Sequence, residues 1–274
     1  MFSVPQPARS DASPPLVPAV VRAVAVLDHL ARQRQPMTMA RLAADLSLPK
    51  SSVHGLCNTL LTLGYLRRRA DGQVQIGPKV MGLAEAFLAG TDVTREFDAL
   101  WQQAAQGPEE TVLLSVLDGA EVVYLAARNG SRPLGLAFTV GMRLPAHLAA
   151  TGKAMLAFLD PAQVRQRLGP GPLPQLTGRG AADLAMLDRE LALTRARGYS
   201  VDDEGVRLGV YCIAAPVFDA AGRPVAGVGI CLNKAMLEQD DATRERQHVL
   251  ATAHALSQRL GGRLPALPHE DSAA

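Results

Sequence analysis

An Asp-Gly pair, Asp71-Gly72, between the short runs Tyr65 to Arg69 and Gln73 to Ile76, constrains this chain more than any other feature. The two central residues of such a turn need positive φ, which Asp and Gly tolerate, so the pair predicts a small hairpin. Three helical patterns precede it. Val17, Val20, Val21, Val24, Leu27, Leu30 and Ala31 recur at spacings of three and four, one side of a helix that should end near Gln35 and Pro36. Thr38 suits the N-cap of a second, short helix with Leu42, Ala43 and Leu46 on one face. Ser47, Leu48 and Pro49 form a break, and a third helix from Lys50 to Leu63 turns Val53, Leu56, Cys57 and Leu60 inward before Gly64 ends it. Two short helices around a tight turn, followed by an arginine-bearing hairpin, are the parts of a winged helix-turn-helix.

The outer face of the third helix carries Lys50, Ser51, Ser52, His54, Asn58 and Thr62, short hydrogen-bonding side chains able to approach base edges. Gly55 shares that face, and glycine in an exposed helix interior costs about 1 kcal/mol relative to alanine. A close approach of backbone to DNA would account for it. Arg67, Arg68 and Arg69 lie in the wing, where they would meet phosphates and supply affinity with little sequence information. Thr38 completes the DNA-binding candidates. The alternative, a plain helical bundle with a solvated polar face, explains the helices but not the basic hairpin. Charge points the same way: residues 1–95 hold eleven Lys and Arg against six Asp and Glu, although net charge is only +2. Cys57 and His29 read as structural residues of this unit.

Pro78 suits the first turn of a linker helix over 78–95, whose stripe Val80, Met81, Ala84, Phe87 and Leu88 should pair with another subunit. From 96 to 264 the pattern is mixed. Strands are expected at Thr111 to Leu117, Glu121 to Ala127, Leu134 to Thr139, Val210 to Phe218 and Val225 to Leu232. Helices are expected at His147 to Leu159, Pro161 to Leu168, Ala182 to Arg197 and Gln239 to Leu260, with a Gly- and Pro-rich loop from Gly169 to Gly180. Consecutive hairpins imply a largely antiparallel sheet with helices beside it, an α+β domain after a winged unit over 16–77. Residues 1–15 and 265–274 read as tails. No run of about 18 apolar residues exists, nor an apolar signal core at the start, so a cytoplasmic protein without membrane contact is expected. Its three cysteines, Cys57, Cys212 and Cys231, are spaced too widely for a disulfide framework and are expected to be reduced.

In the second half, Ala150, Thr151 and Gly152 open a helix, where backbone N–H groups attract an anion such as a carboxylate. Asp202, Asp203 and Glu204 precede the loop Gly205 to Gly209, which leads to Val210 and Cys212; Gly229 and Cys231 alternate on a later strand and face one side of the sheet. Blander readings stand beside these. Three adjacent acids are more often a solvated surface, a buried cysteine behaves as a small hydrophobe, and Asn129 to Arg132 and Arg143 are loop residues, Arg143 being able to pair with the acidic run. His147 reads as a cap or surface residue, since no second His or Cys lies at ligand spacing. Neither a metal nor a cofactor is expected.

The segment MTMARLAADLSLPKSSVHGLCNTLLTLGYLRRRADGQVQIGPKVMGLA resembles the DNA-binding half of the isocitrate lyase regulator (IclR) family of bacterial transcription factors, and GMRLPAHLAATGKAMLAFL with RGYSVDDEGVRLGVYCIAAPVFDAAGRPVAGVGI resembles its effector-binding half. The resemblance implies a winged-helix dimer on palindromic double-stranded DNA, a linker helix at the dimer interface and a GAF-like sensory domain, often in a dimer of dimers. It also implies that the backbone at Ala150 and Thr151, the carboxylate of Asp202 and the side chains at Val210, Cys212, Gly229 and Cys231 surround a small organic acid. Two departures matter. Gly55 stands where the family commonly has arginine, which leaves the operator sequence open. Gly229 and Cys231 stand where members that hold small keto acids have serines, and losing two hydroxyls loosens the grip on small polar acids. A bulkier acid, such as an aromatic carboxylate, is therefore expected. Two alternatives remain: a GAF-like thiol redox enzyme using Cys212 and Cys231, and a DNA-bound scaffold whose sensory domain takes no ligand.

Overall fold

The computed structural model describes residues 16–89, 92–103, 110–130, 138–237 and 242–262. The expected tails, the linker residues 90–91 and most of the expected strand Leu134 to Thr139 lie outside them. The chain divides into two compact units, Met1–Phe87 and Leu88–Ala274.

In the first unit, α1 (Pro18–Gln33), α2 (Met39–Asp45) and α3 (Lys50–Thr62) precede the hairpin β1 (Leu66–Arg68) and β2 (Val74–Ile76), followed by α4 (Lys79–Ala89). The hairpin register is Leu66 opposite Ile76 and Arg68 opposite Val74; of the expected pair only Gly72 takes positive φ, and its N–H closes the turn onto the Arg69 carbonyl at 3.0 Å, which makes Ala70 and Asp71 the central turn residues. Val26, Leu30, Met37, Leu42, Val53, Cys57, Leu60, Leu66 and Val74 make one core. Ser47 sits at positive φ in the α2–α3 turn, which the Leu48 N–H closes onto the Ala43 carbonyl at 2.9 Å. His29 Nε2 lies 3.0 Å from Asp45 Oδ2, tying α1 to α2.

The α1 stripe needs correction. Its core face is Val26 and Leu30, whereas Val17, Val20, Val21 and Val24 are exposed. Leu27 and Leu30 of the expected stripe do pack in the core, where Val26 joins them, so the spacing found the core-facing end of the helix and overran it along the exposed valines. On α4, Met81, Leu83 and Ala84 are also exposed. Of the expected helix over 78–95, the described residues form α4 and α5 (Asp92–Gln103), and Val93 and Phe97 of α5 are buried in the second unit.

The second unit is a six-stranded antiparallel sheet in the order β5-β4-β3-β8-β7-β6. Its strands are β3 (Thr111–Asp118), β4 (Glu121–Arg128), β5 (Arg143–Pro145), β6 (Ser200–Asp203), β7 (Val210–Phe218) and β8 (Pro224–Asn233). β5 and β6 are edge strands of three and four residues, too short to show an alternation, and were not among the expected strands. Alternation along the longer strands sorts two layers. Val112, Leu114, Ile213, Val217, Val228 and Ile230 face α5 and α9 (Thr243–Arg259), while Leu113, Cys212, Ala214 and Cys231 face the side of α6 (Ala150–Leu156), α7 (Pro161–Leu168) and α8 (Leu184–Arg197). A register shift at Leu114/Ser115 lets Leu125 and Ala126 both join the α5–α9 layer and leaves Tyr124 on the α6 side.

Helix α6 is shorter than the expected His147 to Leu159 because residues 146–149 take a turn instead. Its seven residues are all buried. A Cβ on Gly152 would collide with the backbone of Ala146, and one on Gly227 would sit 2.7 Å from the Thr151 carbonyl oxygen. Gly152→Ala should therefore lower unfolding free energy by about 1–3 kcal/mol, the overpacking range, measurable by urea denaturation. An unchanged midpoint would show that this turn yields without cost.

Candidate functional site

Two surfaces carry the chemistry. On α3, Lys50, Ser51, His54, Gly55, Asn58 and Thr62 are exposed and Ser52 is half-buried, while Val53, Cys57 and Leu60 face the core. Thr38 caps α2, accepting from the Arg41 N–H at 3.2 Å. Thr62 donates its hydroxyl to the Asn58 carbonyl at 3.0 Å, so that proton is already engaged within the helix. Arg67, Arg68 and Arg69 are exposed on the wing. Arg68 reaches back to Asn58 Oδ1 at 3.5 Å, and Arg69 lies 3.7 Å from Asp71. A Cβ on Gly55 would meet nothing within 4 Å, and its backbone is helical, so nothing inside this unit requires a glycine there.

The second surface is a cavity of about 170 Å³ in the second unit. It gathers Ala150, Thr151, Asp202, Val210, Cys212, Gly229 and Cys231, seven of the eight residues singled out in the sequence. Gly152 is not among its walls; its open side is taken by the Ala146 backbone. Sequence reasoning missed the apolar wall of Leu113, Phe138, Met142 and Leu144, and also Tyr124, whose ring lies 5.6 Å from that of Phe138. It also missed Arg207, an exposed lining residue between the flagged acids and Val210. A cation beside a glycine-flanked loop was the available signal.

Two of the three acids, Asp202 and Glu204, are buried, and only Asp203 is exposed. Asp202, on β6, is 2% exposed and accepts the Gly205 N–H on Oδ1 at 2.7 Å. Burial pushes its carboxyl up to about 6, against the opposing pull of Lys153 and the Gly205 and Val206 N–H groups. Glu204 is also buried, and its carboxylate takes the Gly209 N–H at 2.7 Å, Arg179 at 2.5 Å and Lys234 at 2.9 Å. That Gly209 bond and the lysine hold Glu204 below the usual carboxylate range. Arg143 pairs with Glu121 and Asp118, across its own sheet edge, rather than with this run. His147 is buried, its Nε2 lying 2.8 Å from the Pro174 carbonyl oxygen, and burial lowers its pKa; it is neither a cap nor a surface residue.

Two expectations about the cavity fail. Cys212 and Cys231 are not free thiols but form a disulfide across β7 and β8, because strand register sets them directly opposite despite 19 residues of separation. Nor does Gly229 leave open room: a Cβ there would stand 2.9 Å from Thr151 Cγ2, so the methyl already occupies the space a serine would need. Thr151 in turn accepts the buried Ser115 hydroxyl at 2.8 Å, and Ser200 donates to the Ala150 carbonyl at 2.6 Å. Among the described residues, no group of three His, Cys, Asp or Glu side chains is placed to hold a metal ion.

A winged helix-turn-helix with a polar outer helix face, joined in one chain to an antiparallel sheet domain that encloses a cavity, defines a ligand-responsive DNA-binding regulator. The IclR helix-turn-helix domain matches residues 19–70, and the C-terminal domain of the bacterial transcriptional regulator IclR matches residues 85–258. The Agobacterium tumefaciens repressor BlcR is 42% identical, over 90% of this chain and 99% of its own, with a TM-score of 0.56. The transcriptional regulator BhcR of Paracoccus denitrificans (strain Pd 1222) is 31% identical over 77% of this chain and 76% of its own. An IclR homolog from Microbacterium hydrocarbonoxydans, solved with 4-hydroxybenzoate, is 22% identical over 88% of this chain and 98% of its own, and shares the fold with a TM-score of 0.73. The chain belongs to the IclR family of bacterial transcriptional regulators.

The raised Asp202 value has a checkable sign. Because folding lifts the pKa, the unfolded chain gives up its proton first, and the folded state loses stability as pH rises from the ordinary carboxylate value of roughly 4 to about 6. Asp202→Asn keeps the acceptor for Gly205 but cannot ionise. Its unfolding free energy relative to wild type should rise by about 2–3 kcal/mol between those limits, measured by urea denaturation across pH. A constant difference would mean that Asp202 is ionised throughout.

Proposed function

We propose that this chain binds a palindromic operator as a homodimer, able to assemble further into a dimer of dimers, and that a small organic acid in the cavity modulates its DNA affinity. The observation that carries the reading is the one-sidedness of α3, with Val53, Cys57 and Leu60 in the core and Lys50, Ser51, His54 and Asn58 outside, next to three exposed wing arginines. Such a helix enters the major groove while the wing meets the backbone. The exposed valines of α1 and Met81 and Leu83 of α4 support self-association, since a second copy would remove them from water. Fixed separation of two heads then requires two half-sites. The relatives are regulators, and we read this chain likewise as a regulator rather than an enzyme, acting in the cytoplasm where its operator lies.

For the ligand, the apolar wall of Leu113, Phe138, Met142 and Leu144 and the ring of Tyr124 favour a flat apolar body, with Asp202 and Arg207 as polar contacts. An aromatic carboxylate meets that description better than a two- or three-carbon keto acid, and the same fold holds 4-hydroxybenzoate in the Microbacterium homolog. The effector would act by preferring one conformation, and can change DNA affinity only by as much as that preference.

Binding isotherms on operator and random DNA across a salt series test the DNA-reading half. Arg68→Ala should weaken both equally and reduce the slope of log K against log salt by about one. Asn58→Ala should reorder affinities among operator variants. Identical, sequence-independent losses from both substitutions would contradict these roles. Calorimetry tests the other half: 4-hydroxybenzoate should bind more tightly than glyoxylate or pyruvate, and the opposite order would overturn the aromatic reading.

A further inference from the structure

The cavity wall holds a chemistry that ligand binding does not use. Cys212 on β7 and Cys231 on β8 are cross-strand partners with Cα atoms 4.2 Å apart, joined by a disulfide, and both line the cavity. The cavity meets solvent beside the exposed lining residue Arg207. The remaining cysteine, Cys57, is buried in the other unit's core.

Three observations argue against a purely structural bond. Strands β7 and β8 pair from Val210 opposite Asn233 to Phe218 opposite Pro224, so their backbone ladder, and not the bond alone, holds the two residues together in the folded chain. Reduction would therefore leave the two sulfurs as neighbours, ready to rejoin without refolding. A DNA-reading protein also works where small thiols keep cysteines reduced, and disulfides there are usually transient or redox-sensing. Finally, the bond lines a cavity that reaches solvent, instead of lying sealed between layers.

We propose that Cys212 and Cys231 are a reversible dithiol–disulfide site for low-molecular-weight thiols and disulfides that enter the cavity, giving the cavity wall two covalent states. In oxidation, one protein thiolate attacks a small disulfide RSSR, forms a mixed disulfide and releases RS⁻. The second protein thiolate attacks the protein sulfur of that mixed disulfide and releases the second RS⁻. Two protein thiols thus lose two electrons and two protons, and RSSR becomes two RSH. Reduction runs the same steps backward. The reduced wall offers two weak S–H donors and the oxidised wall none, so, resting on the organic-acid reading above, a carboxylate ligand distinguishes the two states.

The test uses the full-length protein equilibrated in cystine and cysteine mixtures, trapped natively with N-ethylmaleimide and read by mass spectrometry. Two labels should appear together as the mixture becomes reducing, both mapping to Cys212 and Cys231, with Cys57 labelled only after denaturation. Labelling of both residues in every mixture, or none after excess dithiothreitol in the folded protein, would overturn the proposal. Cys231→Ala strands Cys212 and should retain a cysteine adduct from cystine that wild type resolves; a folded variant without adduct would show the sulfur to be unreachable and overturn it too. Trapping needs no ligand, so its failure is distinct from failure of the organic-acid reading. Calorimetry on the two states should then give 4-hydroxybenzoate affinities that differ about threefold or more, the scale of a weak hydrogen bond. Equal affinities would overturn the coupling.

Discussion

The second unit depends on how closely the first turn of α6 lies against β8. Gly152 lets that turn press on the Ala146 backbone, while Gly227 and Gly229 present bare backbone to Thr151. At that depth the Thr151 hydroxyl meets Ser115 and the Ala150 carbonyl meets Ser200, so the buried polar groups there are matched. Leaving either unmatched would cost about 1–3 kcal/mol. The cavity is therefore not slack left by small residues. It is the space fixed between a helix held at contact distance on one side and the apolar wall of Leu113, Leu144 and Phe138 on the other.

The same economy governs the acidic triplet. Alternation along β6 sends Asp202 toward the cavity and Asp203 outward, where it meets Lys234. Glu204 follows at positive φ and gathers Gly209, Arg179 and Lys234. The loop from Gly205 to Gly209 is thus tied at its start by Asp202 and at its end by Glu204, which sets Val206, Arg207 and Val210 along the cavity. One carboxylate faces the ligand space and another holds the loop that frames it.

What the sequence disclosed and what it hid divide along the same line. The hairpin around Asp71-Gly72, the long strands β7 and β8 and the inward Val53, Cys57 and Leu60 of α3 were legible, because turn chemistry and periodicity are local, although Leu56, also expected inward, is only half-buried. β5 and β6 were not, being too short for a pattern and held only by their neighbours' open edges. On α1 the apolar residues exceed what one chain buries; spacing picked out Leu27 and Leu30 but could not say that Val26 would join them while Val17, Val20, Val21 and Val24 stayed exposed. The Cys212–Cys231 bond was hidden for a different reason: register, not spacing, puts those residues opposite each other, and register depends on the β7–β8 pairing as a whole. Most residues of the cavity were legible from the helix opening at Ala150, the acidic run and the alternation on β8, and family likeness pointed to the same positions; Tyr124 and Arg207 were missed, although alternation along β4 puts Tyr124 on the side of Val122 and the loop that sets Arg207 is tied at both ends by flagged acids.

Charge decides how an acid could sit in this space. Asp202 is buried, and burial disfavours its ionised form and pushes its carboxyl up to about 6, whereas Arg207 is exposed. A carboxylate driven inward would face a second carboxylate in a poorly solvated site, where one of the two must hold a proton. That orientation would make binding stronger as pH falls through the Asp202 range. A carboxylate left beside Arg207 would instead gain a cation and keep its water, with the ring against Tyr124 and Phe138 and any hydroxyl at the far end donating to ionised Asp202. Binding would then be weakened by protonating Asp202. The two orientations thus give opposite pH slopes for the same ligand in the same cavity, and the sign of that slope reports which end of the acid enters first.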